Sequence, residues 1–433
     1  MDLSAALFGV GFILGPRIAA IMVGGGLLSW LVIIPVIATW GEGLAVPLFP
    51  ETQNLIRDMS ASQIWTRYVR YIGAGAVATA GIITLIRTIP VMIESFRIGA
   101  AEMKERMAET AVARVLRTHQ DLPLRLAGAG VVTVGLIMAL VPAVFGNVGG
   151  LGIRIVAAIC VTIFAFFFVT VASRIVGLVG VTSNPTSGMT IAALLATGGV
   201  FLVMGWTDLA GKAAAVTVGC VVAIAASISG DTSQDLKTGY LLGATPRYQQ
   251  TAELIGVITS AVFVCMAVLL LAKTFGFGGT ELPAPQATLM KLVIEGVLDR
   301  QLPWTLVAVG AGLAILCELF RIPSLPFAVG VYLPVSTMTP IFLGGLLRMW
   351  AERSAATPES ETQRRERGVL LGSGFVGGEG LLGVGIAAVA FAKGRKPDGF
   401  GTEWLGADWM VPLAGGLAFA LFVAWFFRTV RRA

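Results

Sequence analysis

The sequence predicts an all-α, polytopic membrane helix bundle of about ten spans. Three observations predict it. Only 13% of the 433 residues are charged, about half the ~25% of a soluble globular domain. Hydrophobic residues make up 56% of the chain, and they gather in several runs of the ~18–20 residues that cross a bilayer. Glycine contributes 54 residues, which suits membrane helices whose backbones approach closely.

Taken in order, the apolar runs are 17–39, 71–93, 124–145, 153–173, 189–206, 213–228, 251–271, 304–320, 369–392 and 410–427. Two further pieces read as broken or re-entrant. Residues 3–14 are too short to cross. Residues 325–347 are interrupted by Pro326, Pro334 and Pro340, and proline removes a helix hydrogen bond and clashes with the preceding turn. Irregular backbone survives at membrane depth only where protein or a water-filled cavity covers it.

Basic residues orient the map. The 94–123 connection carries Arg97, Lys104, Arg106, Arg114 and Arg117. The 348–368 connection carries Arg348, Arg353, Arg364, Arg365 and Arg367, and the C-terminus carries Arg428, Arg431 and Arg432. All three are expected in the cytoplasm. That count places 41–68 and 273–303 outside, provided 325–347 enters and leaves on one side. The expected setting is the inner, cytoplasmic membrane, with one membrane domain over 1–433 and 94–123 and 348–368 as cytoplasmic loops.

Several functions are disfavoured. The net charge of +6 reads as loop asymmetry rather than nucleic-acid binding. Cys160, Cys220, Cys265 and Cys317 lie apart inside apolar runs, and the single histidine, His119, lies in a charged connection. No metal site or cofactor is expected. Walker A, GxSxG and HExxH patterns are missing from the sequence, so ATP-driven transport would need a separate subunit, and a transporter rather than an enzyme is expected.

Two polar stretches carry the candidate chemistry. In 182–190, Asn184 and Pro185 read as N-cap and first residue of a helix, surrounded by Ser183, Thr186, Ser187, Gly188 and Thr190. Such a helix start offers free N–H groups and a positive dipole end to a carboxylate. An ordinary capped helix at the interface reads equally from the residues. In 230–250, Gly230 reads as a helix stop, and Thr245-Pro246 as a second helix start. Asp231 and Asp235 lie four apart, on one face if helical. Gln234 lies between them, and Lys237 is placed to neutralise the pair. Paired carboxylates in a low-dielectric site can hold a proton, whereas a solvated loop cluster is the plain alternative. Glu379 sits mid-span within Gly377–Gly380, where a lone carboxylate must be neutral, paired or facing water, and it joins Asp231 and Asp235 as a candidate to carry a coupled proton. Tyr332 and Pro334 mark the broken segment, where an aromatic with a polar tip contacts a substrate or fills a packing gap. Glu253 and Glu318 read as interfacial.

These residues resemble one family. Asn184-Pro185-Thr186-Ser187-Gly188-Met189-Thr190-Ile191 is similar to an element of the oligopeptide transporter (OPT) superfamily. Gly230-Asp231, Gln234-Asp235-Leu236-Lys237-Thr238-Gly239-Tyr240-Leu241 and Gly243-Ala244-Thr245-Pro246-Arg247 resemble a second. Arg70-Tyr71-Ile72-Gly73-Ala74-Gly75-Ala76, Leu282–Ala287 and Leu325–Gly330 add three more. The match is nearest to bacterial members that look like the yellow-stripe-like branch. It implies a secondary transporter, by proton symport, of oligopeptides or related small zwitterions across the cytoplasmic membrane. The alternative it implies is proton-coupled uptake of metal–chelate complexes. Family members usually begin with several further helices, so the resemblance implies that this chain is the C-terminal two-thirds of the pattern. The partners implied are the substrate, protons, the lipid bilayer, and either a chain supplying the remaining helices or further copies of this one.

Overall fold

A chain in hydrocarbon must satisfy its backbone hydrogen bonds internally, so apolar runs become helices. The computed structural model describes residues 3–108, 116–147, 149–179, 184, 186–278, 282, 284–299, 303–394 and 409–432. The described residues contain sixteen α-helices. In chain order they begin with α1 (Ala5–Leu14), α2 (Pro16–Leu28), α3 (Ile34–Gly41), α4 (Ala61–Ile64) and α5 (Arg70–Ala108). Next come α6 (Leu124–Leu140), α7 (Leu151–Val179), α8 (Thr186–Val203), α9 (Leu209–Leu241), α10 (Pro246–Thr274) and α11 (Pro285–Asp299). The last are α12 (Trp304–Leu319), α13 (Ser324–Tyr332), α14 (Val335–Arg353), α15 (Pro358–Lys393) and α16 (Met410–Arg431). Eight helical stretches among the described residues are long and apolar enough to cross a membrane. The all-α polytopic reading is therefore borne out.

The helices differ from the apolar runs chiefly by overrunning them. The 213–228 run is the apolar centre of α9, which continues through Leu241. Gly230 is thus no stop; the turn comes at Gly243, with φ 75°. The sequence signal failed because a membrane helix need not end where its apolar residues end. Likewise α5 runs helical from Arg70 to Ala108 into the 94–123 connection, and α11 occupies much of the 273–303 connection. The 348–368 connection shrinks to residues 354–357 between α14 and α15. Residues 109–115, which include Arg114, lie outside the described residues.

The chain divides into two compact units. The first contains residues 1–77, 265–285 and 303–433. Here α1 ends at Gly15, whose φ of 85° lets α2 begin at once with Pro16. The 325–347 segment breaks once, at Leu333-Pro334, where both residues are extended. Pro326 sits in the first turn of α13, where its missing N–H is not needed, and Pro340 lies inside α14 without ending it. Paired glycines set three helix crossings. A Cβ on Gly11 would overlap the Ile341 carbonyl, and one on Gly344 the Phe8 carbonyl, so α1 and α14 touch backbone to backbone. Gly330 against Met22 and Gly25 against Phe327 do the same for α13 and α2. Gly310 against Ile72 and Gly75 against Val307 do so for α12 and α5. Close approach through small residues replaces the hydrophobic effect as the cement between membrane helices.

The second unit contains residues 78–264 and 286–302. Its core joins α7, α8 and α9 through Ala157, Val161, Met189, Leu194, Val218 and Val222, with Ile294 and Leu298 of α11 added. The α10 helix contributes nothing buried across its apolar window.

The connection after α3 is ordered by Glu51, which is only 5% exposed. Its Oε1 accepts the backbone N–H groups of Gln53 (2.8 Å), Thr52 (3.0 Å) and Asn54 (3.4 Å). Its Oε2 meets Arg67 Nε at 2.9 Å. The Gln53 bond first, then the Thr52 and Asn54 bonds and Arg67, hold this carboxyl below its ordinary 4.5 against the opposing effect of burial. A carboxyl depressed in the fold stabilises it at pH values above its unfolded pKa, and that contribution is lost as pH falls through the folded value. The protection factors for hydrogen exchange across residues 48–67, corrected for the intrinsic pH dependence of exchange, are therefore expected to stay flat from pH 8 down to about 5 and to fall only in acid, below the ordinary glutamate range of about 4.3. In Glu51→Gln that acid step disappears.

Candidate functional site

In the first unit the break between α13 and α14 gathers polar groups. Tyr332, the last residue of α13, is 5% exposed and has the Arg70 guanidinium as its charged neighbour. Gly73, one turn beyond Arg70, packs under it: a Cβ there would come within 2.6 Å of Tyr332 Cα. Pro334 is the N-cap of α14, and its carbonyl accepts the Thr337 hydroxyl at 2.7 Å. In an unbroken helix the Val331 carbonyl would bond residue 335. Here it accepts the buried Ser29 hydroxyl instead, at 3.4 Å. The break is thus built into the packing.

Arg70 lies at the ninth residue after Ala61 in a continuous helical stretch, roughly 13 Å along its axis at 1.5 Å per residue. Its guanidinium lies 5.7 Å from the Trp65 ring centroid. Among the described residues no carboxylate is within ion-pair distance of it. The cation stands beside the last residue of α13, two residues before the N-cap of α14. Nothing local in the sequence sets Arg70 apart, because an arginine opening a span looks like any interfacial anchor.

Glu379 also belongs to the first unit and is neither buried nor alone. Its Oε1 accepts the Ser4 hydroxyl at 2.7 Å and its Oε2 the Ala6 N–H at 2.8 Å. It caps α1, satisfying first-turn groups that have no intrahelical partner. Gly9 packs against Gly372 one helical stretch away, so α1 runs antiparallel to α15 from this point.

In the second unit the two polar stretches converge. The Asn184 side chain donates to the Ala226 carbonyl of α9 at 3.2 Å, while its Oδ1 is buried and has no partner among the described residues. A Cβ on Gly230 would come within 2.9 Å of both Asn184 Nδ2 and Val176 Cγ2. Gly230 therefore serves close approach of α7, the α8 start and α9. Ser183 and Pro185, read as parts of that start, lie outside the described residues. Ser187 is half-buried in the first turn of α8. Gly188 faces Gly81, where a Cβ would stand 3.1 Å from the carbonyl. The Thr190 hydroxyl donates to the Thr186 carbonyl at 2.8 Å.

Asp231, Gln234, Asp235 and Lys237 all lie exposed on the last turns of α9. At 100° per residue, Asp231 and Asp235 share a face, but Lys237 points about 200° away from Asp235. Its ammonium lies 5.8 Å from the Tyr240 ring centroid, so the expected neutralisation of the pair does not occur. What meets the Asp235 face is Glu253 of α10. Glu253 is half-buried, with the Thr232 hydroxyl and the Asp235 carboxylate as its polar neighbours. Its Oε1 is buried without a partner among the described residues. Sequence reasoning took Glu253 for an interfacial residue, because only the fold brings α10 against the 231–235 face. Gln249 ties the same corner, donating to the Asp235 carbonyl at 3.1 Å and packing on the buried Gly239.

The 116–122 segment is strapped to this corner. Arg117 Nη2 donates to the Gly243 carbonyl at 2.8 Å, the Arg247 N–H to the Gln120 carbonyl at 2.9 Å, and the Leu122 N–H to Gln250 Oε1 at 2.8 Å. A cleft of about 380 Å³ opens beside it, lined by His119, Asp121, Ser233, Lys237 and Tyr240. Among the described residues no group of three His, Cys, Asp or Glu is placed to hold a metal ion.

Long apolar helices, a span broken around a buried tyrosine, and carboxylates at helix ends define a polytopic helical membrane protein with internal polar sites. More particularly, the chain belongs to the OPT family: residues 1–390 match the model described as OPT oligopeptide transporter protein. It is 29% identical to "Putative oligopeptide transporter" of Haemophilus influenzae, over 91% of this chain and 66% of that one. It is 25% identical to "Probable metal-nicotianamine transporter YSL14" of Oryza sativa subsp. japonica, over 92% of this chain and 56% of that one. It is 26% identical to "Probable metal-nicotianamine transporter YSL8" of Arabidopsis thaliana, over 92% and 57%. The chain thus spans 56–66% of the length of these relatives.

Proposed function

We propose that this chain acts as, or within, a proton-coupled secondary transporter of oligopeptides or related small zwitterions across the cytoplasmic membrane. One observation carries the reading: the Arg70 guanidinium, with no carboxylate among the described residues within ion-pair distance, beside Tyr332 at the break that opens α14. A cation, a hydroxyl and a positive helix end are the groups that recognise a carboxylate, and discontinuous helices are where transporters place such sites. Tyr332, Pro334 and Arg70 then bind the substrate carboxylate. Asn184, Ser187, Gly188 and Thr190 form a second helix start of the same kind. Asp231, Gln234, Asp235 and Lys237 belong to the proton-coupling and gating corner, with Glu253 added from the fold. Glu379 serves as the cap of α1.

Basic residues of 94–123, 348–368 and the C-terminus support a cytoplasmic location for those ends. On that orientation α5 enters from outside. The α12 helix runs antiparallel to it, since Val307 meets Gly75 and Gly310 meets Ile72. It then leads outward, and α13 with α14 makes the inward crossing. In this proposal 325–347 makes a crossing, and the start of α12 lies inside, so 273–303 passes from outside to inside instead of lying wholly outside.

A metal–chelate substrate is the second reading, favoured by the names of the plant relatives. With no metal-holding cluster among the described residues, the metal would arrive already chelated. Uptake of a labelled tripeptide into proteoliposomes, competed by unlabelled peptide and by an iron–chelate, separates the two. Peptide competition alone supports the first reading, and chelate competition alone replaces it. Asp235→Asn and Glu253→Gln are expected to abolish gradient-driven accumulation while leaving substrate exchange. Unchanged accumulation in both removes this corner from the proton path.

A further inference from the structure

An apolar groove of about 560 Å³ lies between α14 and α16 in the first unit. Its floor is Gly416, Ala420 and Ala424, one residue per turn of α16, all exposed. Leu343, Leu347 and Phe419 form its walls. Leu3 closes one end, and Trp350 and Phe427 stand at the other. From Gly416 to Phe427 the groove follows α16 for about 16 Å, half of a hydrocarbon core of ~30 Å. That is the depth of one leaflet.

The shallow end is basic and amphipathic. Arg428 and Arg431 fill the last turn of α16, and the Arg431 guanidinium lies 5.4 Å from the Phe427 ring centroid. Trp350 is 56% exposed there, as tryptophans at a membrane–water interface are. A narrow apolar strip with a basic, tryptophan-marked end fits an extended hydrocarbon chain that carries an anionic head.

We infer that this groove is a binding site for an anionic phospholipid, one acyl chain lying on Gly416–Ala424 and the headgroup phosphate at Arg431. The lipid would brace α16, whose apolar window is only 6% buried within the protein, against α14.

Native mass spectrometry of the detergent-purified chain, delipidated and then supplied with phosphatidylglycerol or phosphatidylcholine, tests this. One phosphatidylglycerol per chain is expected to be retained, about fivefold or more over phosphatidylcholine for the arginine contact. Arg431→Gln is expected to reduce that preference about fivefold without loss of folding, and Ala420→Phe to remove the adduct by filling the floor. Equal retention of the two lipids, or a preference unchanged in Arg431→Gln, overturns the proposal. So does a dimer in place of a lipid adduct that Ala420→Phe dissociates, which would make the groove a contact between copies.

Discussion

Arg70→Ala protein, reconstituted in liposomes, is expected to take up substrate at between a tenth and a hundredth of the wild-type rate. The estimate follows from the contacts at stake. A hydrogen bond to a charged group contributes about 1.5–3 kcal/mol, and each 1.4 kcal/mol is a factor of ten in affinity. Removing the guanidinium also takes the charge away from beside Tyr332, a residue only 5% exposed. Arg70→Lys keeps the charge but loses the planar fork, so it should retain part of the activity. Tyr332→Phe should cost less than Arg70→Ala, because the cation remains. Initial rates across a range of substrate concentrations check this; the loss should appear mainly as a raised KM if Arg70 holds the substrate carboxylate. Full activity in Arg70→Ala would move the binding site elsewhere.

The second large effect is on folding. Gly344→Val or Gly330→Val drives a branched side chain into the Phe8 or Met22 carbonyl. Neither can yield without separating two helices. Overpacking a soluble core costs about 1–3 kcal/mol, and here the clash is with backbone on both sides of paired glycines. Each variant should fail to give monodisperse protein on size exclusion. Gly374→Ala is the control: a Cβ there meets nothing within 4 Å, and the protein should behave as wild type.

Much of the fold was legible because bilayer length and proline position are strong constraints. The break of 325–347 was read from its prolines, and the structure places it at Pro334. Helix ends were less legible. The Gly230 reading failed because a polar, charged stretch continued the α9 helix beyond its apolar run, and only the Asn184 contact reveals why a glycine stands there. The candidate site was half visible. Tyr332 stood out as an aromatic at a break, but Arg70 lies 262 positions earlier, and no local pattern links the two. Glu253 was hidden for the same reason, since its neighbours Thr232 and Asp235 belong to the preceding helix. Glu379 was conspicuous by its depth, yet its partners Ser4 and Ala6 lie at the far end of the chain.

The most direct test of the whole account is accumulation of a labelled tripeptide in proteoliposomes under an imposed inward proton gradient. Uptake above the external concentration, collapsing when a protonophore is added, is the predicted result. Uptake that merely equilibrates, at the same rate with and without the gradient, would contradict proton-coupled transport by this chain.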